Sequence, residues 1–525
     1  MAPPLQNFVD KVGPVVSAAW LNAVDVLTTT VFGQPPDAPT ARTNLTLDAP
    51  LEVTNGGTGQ RTLQGLFGQL YPPTAAEQST GVVIVNQQFP PYTPDRYGTN
   101  SNQGVTDMWP AIFAADLAAN ADGAAVQFVP GEIYGINCLA NGGPLTISSS
   151  WVCTGPQAII RRIDFGVTTQ MGTATAFQVA NLYMYGLIFD GQVTTAHSPA
   201  PNLDLGPVGN YNDDSTEQKW SQVFGVFFRQ TQNCTIENCT FMNFLRAGLR
   251  LDSGVSGGTI SANGAPWVIF PGAGLSQLGT GTRSISLNNR VVNCRTIRTR
   301  GIFGDGFYSD NSESQQYVNC YAYDYQRIGF VAEFGSMVPN YGSNGSQYVN
   351  CVADFGHDAV TIGSQSNVGF WVESGDGISF TNCESKNTSV GFLCGSAANP
   401  SQGTFRPYTG SIKYVSCNAV RCNSSGFKNE FANRDAHVLY TSCFAEVNST
   451  AAQYSGSVGV GANGFQLSFV ATTGGPNPTS TVSAHMALTD CRVDMVNMSN
   501  VATAACVNVW AGGVTSPQQM QVNIR

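Results

Sequence analysis

The chain has 525 residues, enough to bury a sizeable core and to divide into two or three domains. Only 11% of them are charged while 57 are glycine, a mixture that fits turn-rich β-structure and excludes coiled coils and helical bundles. The formal charge of −10, with no basic run, argues against nucleic acid as a partner, because phosphate binding needs clustered Lys and Arg.

The opening "MAPPLQNFVDKVGPVV" lacks a basic stretch followed by an apolar core, so no signal peptide is expected. No run of about 18 apolar residues is present to cross a membrane, and no membrane insertion is expected. Fourteen cysteines without a signal read as reduced thiols of a cytosol-made chain rather than a disulfide framework. Four histidines and no CxxC pair give no basis for a zinc site, and neither a metal nor a cofactor is expected.

Residues 1–75 read as a separate module, with a short amphipathic helix in "VSAAWLNAVDVL", a Pro-rich break, a strand-like "NLTLDAPLEV" and the turn "NGGTG". Residues 76–94, with "FPPYTP", read as a linker. The stretch "DRYGTNSNQGVTDMWPAIFAADLAANADGAAVQFVPGEIYGI" (95–136) holds a helix over about 108–119 and then an apolar strand. A helix there would plug the open end of the structure that follows and hide its first edge strand.

From residue 239 onward a repeat is visible. "IENC" ends at Cys239, "VVNC" at Cys294, "YVNC" at Cys320 and Cys351, "FTNC" at Cys383, "YVSC" at Cys417, "YTSC" at Cys443 and "LTDC" at Cys491. Most spacings run from 26 to 34 residues, and "QYVNC" itself recurs 31 positions apart. A period in this range, with apolar/polar alternation at each copy, marks a solenoid of strands. One strand plus turns per repeat, without helices, gives an all-β, right-handed, single-stranded parallel β-helix. Equivalent residues then stack at about 4.8 Å. The Cys column belongs inside as inert packing, and the Asn column at the corner, where amides bond up and down a ladder.

A second register follows the first. Gly and a large apolar residue come after most of these cysteines, in "AGLRLD", "DGFYSD", "IGFVAE", "VGFLCG", "SGFKNE" and, late, "NGFQLS". "DAVTIG" (358–363) is assigned to the same slot, with Ala359 replacing Gly. Counting from Gly, positions +1 and +3 point inward and positions +2 and +4 outward.

The outward positions are where chemistry is expected. The +4 column contains Asp252, Asp310, Glu333 and Glu430; the +2 column contains Arg250 and Tyr308. Asp310 and Glu333 are one coil apart, so their charges repel and one holds its proton more tightly. An acid beside an ionised carboxylate is what glycoside hydrolysis requires. Asp310 and Glu333 are the expected catalytic pair, with Asp252 as a more distant partner. Tyr308 and Trp371 are candidate sugar platforms or interface residues, Arg250 and Glu430 candidate substrate contacts, and Asp305 a substrate contact or a turn former.

The 95–136 stretch is similar to the opening of pectate-lyase-like β-helix domains in phage tailspikes, where a G-x-x-D turn leads through a capping helix to a PxGxY-like strand. Gly104, Asp107, Pro130, Gly131 and Tyr134 carry the match. The "AAWLN" helix, "PTAR" and "NGGTG", in that order, resemble the N-terminal regions by which tail fibres and tailspikes attach to the virion. The resemblance implies a homotrimeric phage tailspike or tail fibre, made in the host cytoplasm and carried on the virion. It further implies that residues 1–75 bind tail or baseplate proteins. The β-helix (95–485) then binds, and often cleaves, a bacterial surface polysaccharide such as O-antigen, capsule or exopolysaccharide; residues 486–525 form the last coil and a trimerisation region. This fold hosts hydrolases, lyases and pure binders. The stacked acids favour hydrolysis, a non-enzymatic adhesin is the alternative, and a lyase stays open.

Overall fold

The computed structural model describes residues 70–138, 140–164, 173–192, 225–244, 247–252, 286–299, 304–310, 312–333, 344–354, 367–372, 375–395, 410–431, 436–448, 463–470, 482–496, 505–512 and 518–525. Nearly all of the module expected at 1–75 lies outside them.

Among the described residues the strands fall into three parallel sheets of 12, 11 and 11 strands, and in each sheet the neighbours are every third strand of the chain. The backbone visits sheet 1, sheet 2 and sheet 3 in turn and returns one rung higher. Gln316–Val318 of sheet 1 turns through Asn319 and Cys320 into Tyr321–Tyr323 of sheet 2, then enters sheet 3 at Ile328–Glu333. The next coil repeats this with Gln347–Val349, Asn350, Cys351 and Val352–Asp354. The two "QYVNC" copies are therefore successive rungs.

The Asn corner has a conformational cause and a packing consequence. Asn319 and Asn350 have φ of +53° and +52°, the left-handed region that Asn tolerates better than most side chains. Asn350 Nδ2 donates to Asn319 Oδ1, and Asn319 Nδ2 to Asn293 Oδ1, each at 3.1 Å. The cysteine after each corner turns inward and caps a carbonyl of the coil before it: Cys351 Sγ to Tyr317 O at 3.4 Å, Cys383 Sγ to Tyr348 O at 3.3 Å. All fourteen thiols are free, and all but Cys491 and Cys506 are buried.

Two aromatic ladders fill the interior between these columns. Tyr317, Tyr348, Phe380, Tyr414 and Tyr440 stack along sheet 1, with centroids 4.8–5.1 Å apart. Phe307, Phe330, Phe370, Phe392, Phe427 and Phe465 stack along sheet 3 at 4.8–4.9 Å. The ladders meet edge-to-face, as for Phe330 against Tyr348 at 85°; parallel in-register strands impose the stacking, and the ring quadrupoles favour the edge contact.

A glycine column, Gly225 to Gly464, stands at the start of the sheet 3 strands from Val226–Arg229 to Asn463–Val470, where neighbouring atoms leave no room for a Cβ. A Cβ on Gly306 would lie 2.5 Å from Gly329 O, and one on Gly369 2.0 Å from Ser385 Oγ. Gly369 corrects the repeat phase expected from sequence. The strand that pairs with Ile328–Glu333 is Val368–Val372, so the slot given to Ala359 belongs to Gly369. Residues 355–366 lie outside the described residues.

The cap forms as expected, with helix α3 at Trp109–Asp122. It is preceded by α1 (Ala75–Thr80) and α2 (Pro94–Tyr97), so the stretch 76–94, expected as a linker, is folded onto the cap. Thr74 and Glu77 form a capping box, and Glu77 continues to Arg96 Nε at 2.5 Å and Tyr97 Oη at 2.8 Å, with Arg96 fully buried. In α3 Ile112, Ala115 and Ala119 bury against the first coil, while Asp116 accepts bonds from the backbone and hydroxyls of Ser148 and Ser149 and from Trp151 Nε1. Gly104 and Gly131 lie at φ +73° and +77°, where only Gly is unstrained. Asp107 accepts from the Trp109 and Asn137 N–H groups, at 3.1 and 3.0 Å.

Candidate active site

The outer face of sheet 3 carries the residues on which chemistry was expected. Strand Leu249–Asp252 pairs residue by residue with Phe307–Asp310, and the latter with Phe330–Glu333. Asp252, Asp310 and Glu333 therefore occupy one position on three consecutive rungs, with adjacent backbones about 4.8 Å apart. The rung below Asp252 holds Arg229, a buried cation. The side chains of Asp252, Asp310 and Glu333 lie outside the described residues, so the register is what places them.

Two positions earlier on the same strands runs a second column of Phe227, Arg250, Tyr308, Val331, Trp371 and Leu393. Arg250 sits between two aromatic rungs, its guanidinium carbon 5.4 Å from the Phe227 centroid and 4.5 Å from that of Tyr308. A guanidinium held this way gains cation–π attraction from both rings and keeps its charge, on the strand that also carries Asp252.

The expected open aromatic platforms take a different form. Tyr308 is 5% exposed and Trp371 7%, and with Phe227, Ile328, Val331, Val368 and Val390 they make a second apolar cluster outside the β-helix interior. Trp371 Nε1 donates to Gly395 O at 2.9 Å. Arg327 lies 6.0 Å from its ring and binds Asp305 through Nε and Nη2. Asp305 is fully buried; its carboxylate ties two successive coils together. Tyr308 and Trp371 are two rungs apart. Glu430 pairs with Gly395 and stands three rungs beyond Glu333, so the fold does not bring it to the acid rungs.

Arg229 and Phe227 were missed in the sequence. The signal was present: "GVFFR" (225–229) has the Gly-apolar pattern of the sheet 3 strands, but no Asn-Cys corner precedes it at the repeat spacing. Among the described residues no three His, Cys, Asp or Glu side chains gather as a metal site.

The chain is a right-handed parallel β-helix. No family model and no curated protein matches its sequence. Solved structures similar to this β-helix include the endo-xylogalacturonan hydrolase of Aspergillus tubingensis, with 11% identity, 79% of this chain and 94% of that chain covered, and a TM-score of 0.48. Another is a tailspike of Acinetobacter phage vb_AbaP_AS12, with 12% identity, coverage of 81% and 62%, and a TM-score of 0.46. A third is PfbA, a surface adhesin of Streptococcus pneumoniae, with 10% identity, coverage of 82% and 92%, and a TM-score of 0.43.

Proposed function

We propose that this protein is a phage tailspike or tail fibre whose β-helix recognises and hydrolyses a bacterial surface polysaccharide. In this reading it is a homotrimer held on the virion through residues 1–75. The observation that carries the hydrolytic part is the register of Asp252, Asp310 and Glu333 on three consecutive rungs beside the ring-held Arg250.

In the proposed reaction one acid of the Asp310–Glu333 pair protonates the glycosidic oxygen as its bond to the anomeric carbon breaks. The other, ionised, attacks that carbon, and water then releases the sugar with the first residue acting as base. Adjacent rungs set the two backbones about 4.8 Å apart, which is compatible with the carboxyl separation of about 5–5.5 Å that the covalent route uses. Mutual repulsion of the two carboxylates favours the mixed protonation state. In this reading Arg250 binds substrate hydroxyls or steadies the ionised acid.

A second reading is a non-enzymatic adhesin for the same glycans; because burial leaves the Tyr308 and Trp371 rings little surface for a sugar, neither reading draws on them as open platforms. Incubation of the full chain with purified O-antigen, capsular and exopolysaccharides, assayed for new reducing ends, tests the choice. Release from at least one polymer, without the ultraviolet-absorbing unsaturated ends that a lyase leaves, fits the hydrolase; retention of a polymer without cleavage fits the adhesin and ends the hydrolase reading.

A further inference from the structure

The outer faces of the three sheets differ in charge. On sheet 1 the inward rings of Tyr317, Tyr348, Phe380 and Tyr414 alternate with outward residues that repeat along the solenoid. Val292, Val318, Val349, Thr381, Val415 and Thr441 hold one outward position on six consecutive rungs, each paired in register with the next. All six are β-branched and partly buried within the single chain. Two positions earlier stand Gln316, Gln347 and Ser379, with Arg290 on the rung below them and Lys413 on the rung above.

The outward strand positions of sheet 1 on the three rungs between Arg290 and Lys413 therefore carry no charge. The same coils carry Arg295, Asp354, Glu384 and Lys386 on the outer face of sheet 2. On sheet 3 the outward columns carry Arg250, Asp252, Asp310 and Glu333. A sheet face left to solvent ordinarily alternates polar residues against its apolar inner side. A column of valine and threonine over six rungs departs from that pattern, and sheet 1 alone combines it with the missing charges.

We infer that the outer face of sheet 1, centred on Val318 and Val349, is the contact face between copies of this chain. A second copy is the occupant that charge selects. A chain of net charge −10 repels its own copies, and the uncharged face is the one on which they approach without setting acid against acid. Copies related by a rotation axis parallel to the solenoid keep their rungs level. The column of one copy then meets its neighbours at the same spacing of about 4.8 Å, over a span of about 24 Å. The β-branched column supplies an apolar centre and the Gln316 and Gln347 amides a polar rim, the layout of a protein–protein interface. Side chains stiff at χ1 lose little freedom when covered. This contact leaves the acid rungs of sheet 3 outside it.

This inference rests on the homotrimer of the proposed function, and the experiment separates the two. Sedimentation equilibrium of the full chain compares wild type with the double variant Val318→Glu/Val349→Glu. Val420→Glu, on the outer side of sheet 2 beside Lys386, is the control, and thermal unfolding of each protein checks folding. Wild type and Val420→Glu are expected as trimers and the double variant as a monomer. A double variant that stays trimeric overturns the contact face and leaves the homotrimer standing; a monomeric wild type overturns both. A milder substitution gives an independent reading that does not need the charged variant to fold. Gln347 is exposed in the single chain, so Gln347→Cys is labelled with a polyethylene-glycol maleimide in parallel with Arg492→Cys, exposed on sheet 2, each above the wild-type background. Gln347→Cys is expected to react more slowly than Arg492→Cys by about tenfold or more, because thiol reactivity follows access. Equal rates overturn the contact face.

Discussion

Arg327 donates from Nε and Nη2 to both oxygens of Asp305, at 2.8 and 2.6 Å, with the carboxylate fully buried. Trp371 lies over the guanidinium. Removing one partner leaves a buried charge uncompensated, so Asp305→Ala or Arg327→Met is expected to lose about 3–5 kcal/mol. Chemical unfolding of the single variants checks this, and the double variant should be less destabilised than either loss taken together.

The glycine column makes a second expectation about stability. A Cβ on Gly306 would meet Gly329 O at 2.5 Å and Thr296 Oγ1 at 2.6 Å. Gly306→Ala must therefore push neighbouring coils apart, at a cost of about 1–3 kcal/mol for overpacking. Gly142→Ala, where no atom lies within 4 Å, meets only the strain of φ +77°. Thermal unfolding of both variants separates collision from backbone strain.

The β-helix was legible because its two columns have separate physical causes that both leave letters in the sequence. Asn holds a left-handed corner and bonds to its copies, as at Asn293, Asn319 and Asn350; Gly permits the close approach at Gly306 and Gly329. The phase slipped at one coil, where an insertion precedes the strand and Ala359 imitated the slot of Gly369. The aromatic ladders were not legible although "QYVNC" contains Tyr317 and Tyr348, since Tyr and Phe interchange in the column and the inward slot shows no fixed letter as the Cys slot does. Alternation gave the outward direction of Tyr308, but period two carries no information about what covers an outer face. Asp305, expected as a substrate contact or a turn former, is instead a buried ion-pair partner, and Arg327 that binds it is 22 positions away on the next rung.

The buried thiols are expected to be unreactive in the folded chain. Burial pushes the Cys422 thiol up to about 12, which leaves almost no thiolate at neutral pH. Titration with Ellman's reagent should find one fast thiol, Cys506, and a slow one, Cys491, before unfolding, and fourteen after it. Rapid labelling of several thiols in the native protein would contradict the packed Cys column.

The cap should respond to acid through Glu77. Burial raises its pKa, but hydrogen bonds from Arg96, the Thr74 N–H and Tyr97 outweigh burial and hold it below the usual 4.5. A depressed carboxylate stabilises the fold above its unfolded pKa, and that contribution is lost as pH falls below about 4.5 through the folded value. Asp95 acts oppositely: burial raises its pKa, so protonation on acidification relieves a cost. Proteolysis of the 70–98 region as a function of pH should show protection falling below pH 4.5 in wild type. In Glu77→Gln, protection should be lower at pH 7 and the acid-dependent loss smaller.

The most direct test of the central claim is reducing-end release from a cleaved bacterial polysaccharide by Asp252→Asn, Asp310→Asn and Glu333→Gln proteins. Positioned acid–base groups contribute about 10²–10⁴-fold, so kcat should fall by at least about 10² in Asp310→Asn and Glu333→Gln, with unchanged unfolding temperatures and a smaller loss in Asp252→Asn. Cleavage at the wild-type rate in both Asp310→Asn and Glu333→Gln would contradict the assignment of catalysis to these stacked rungs.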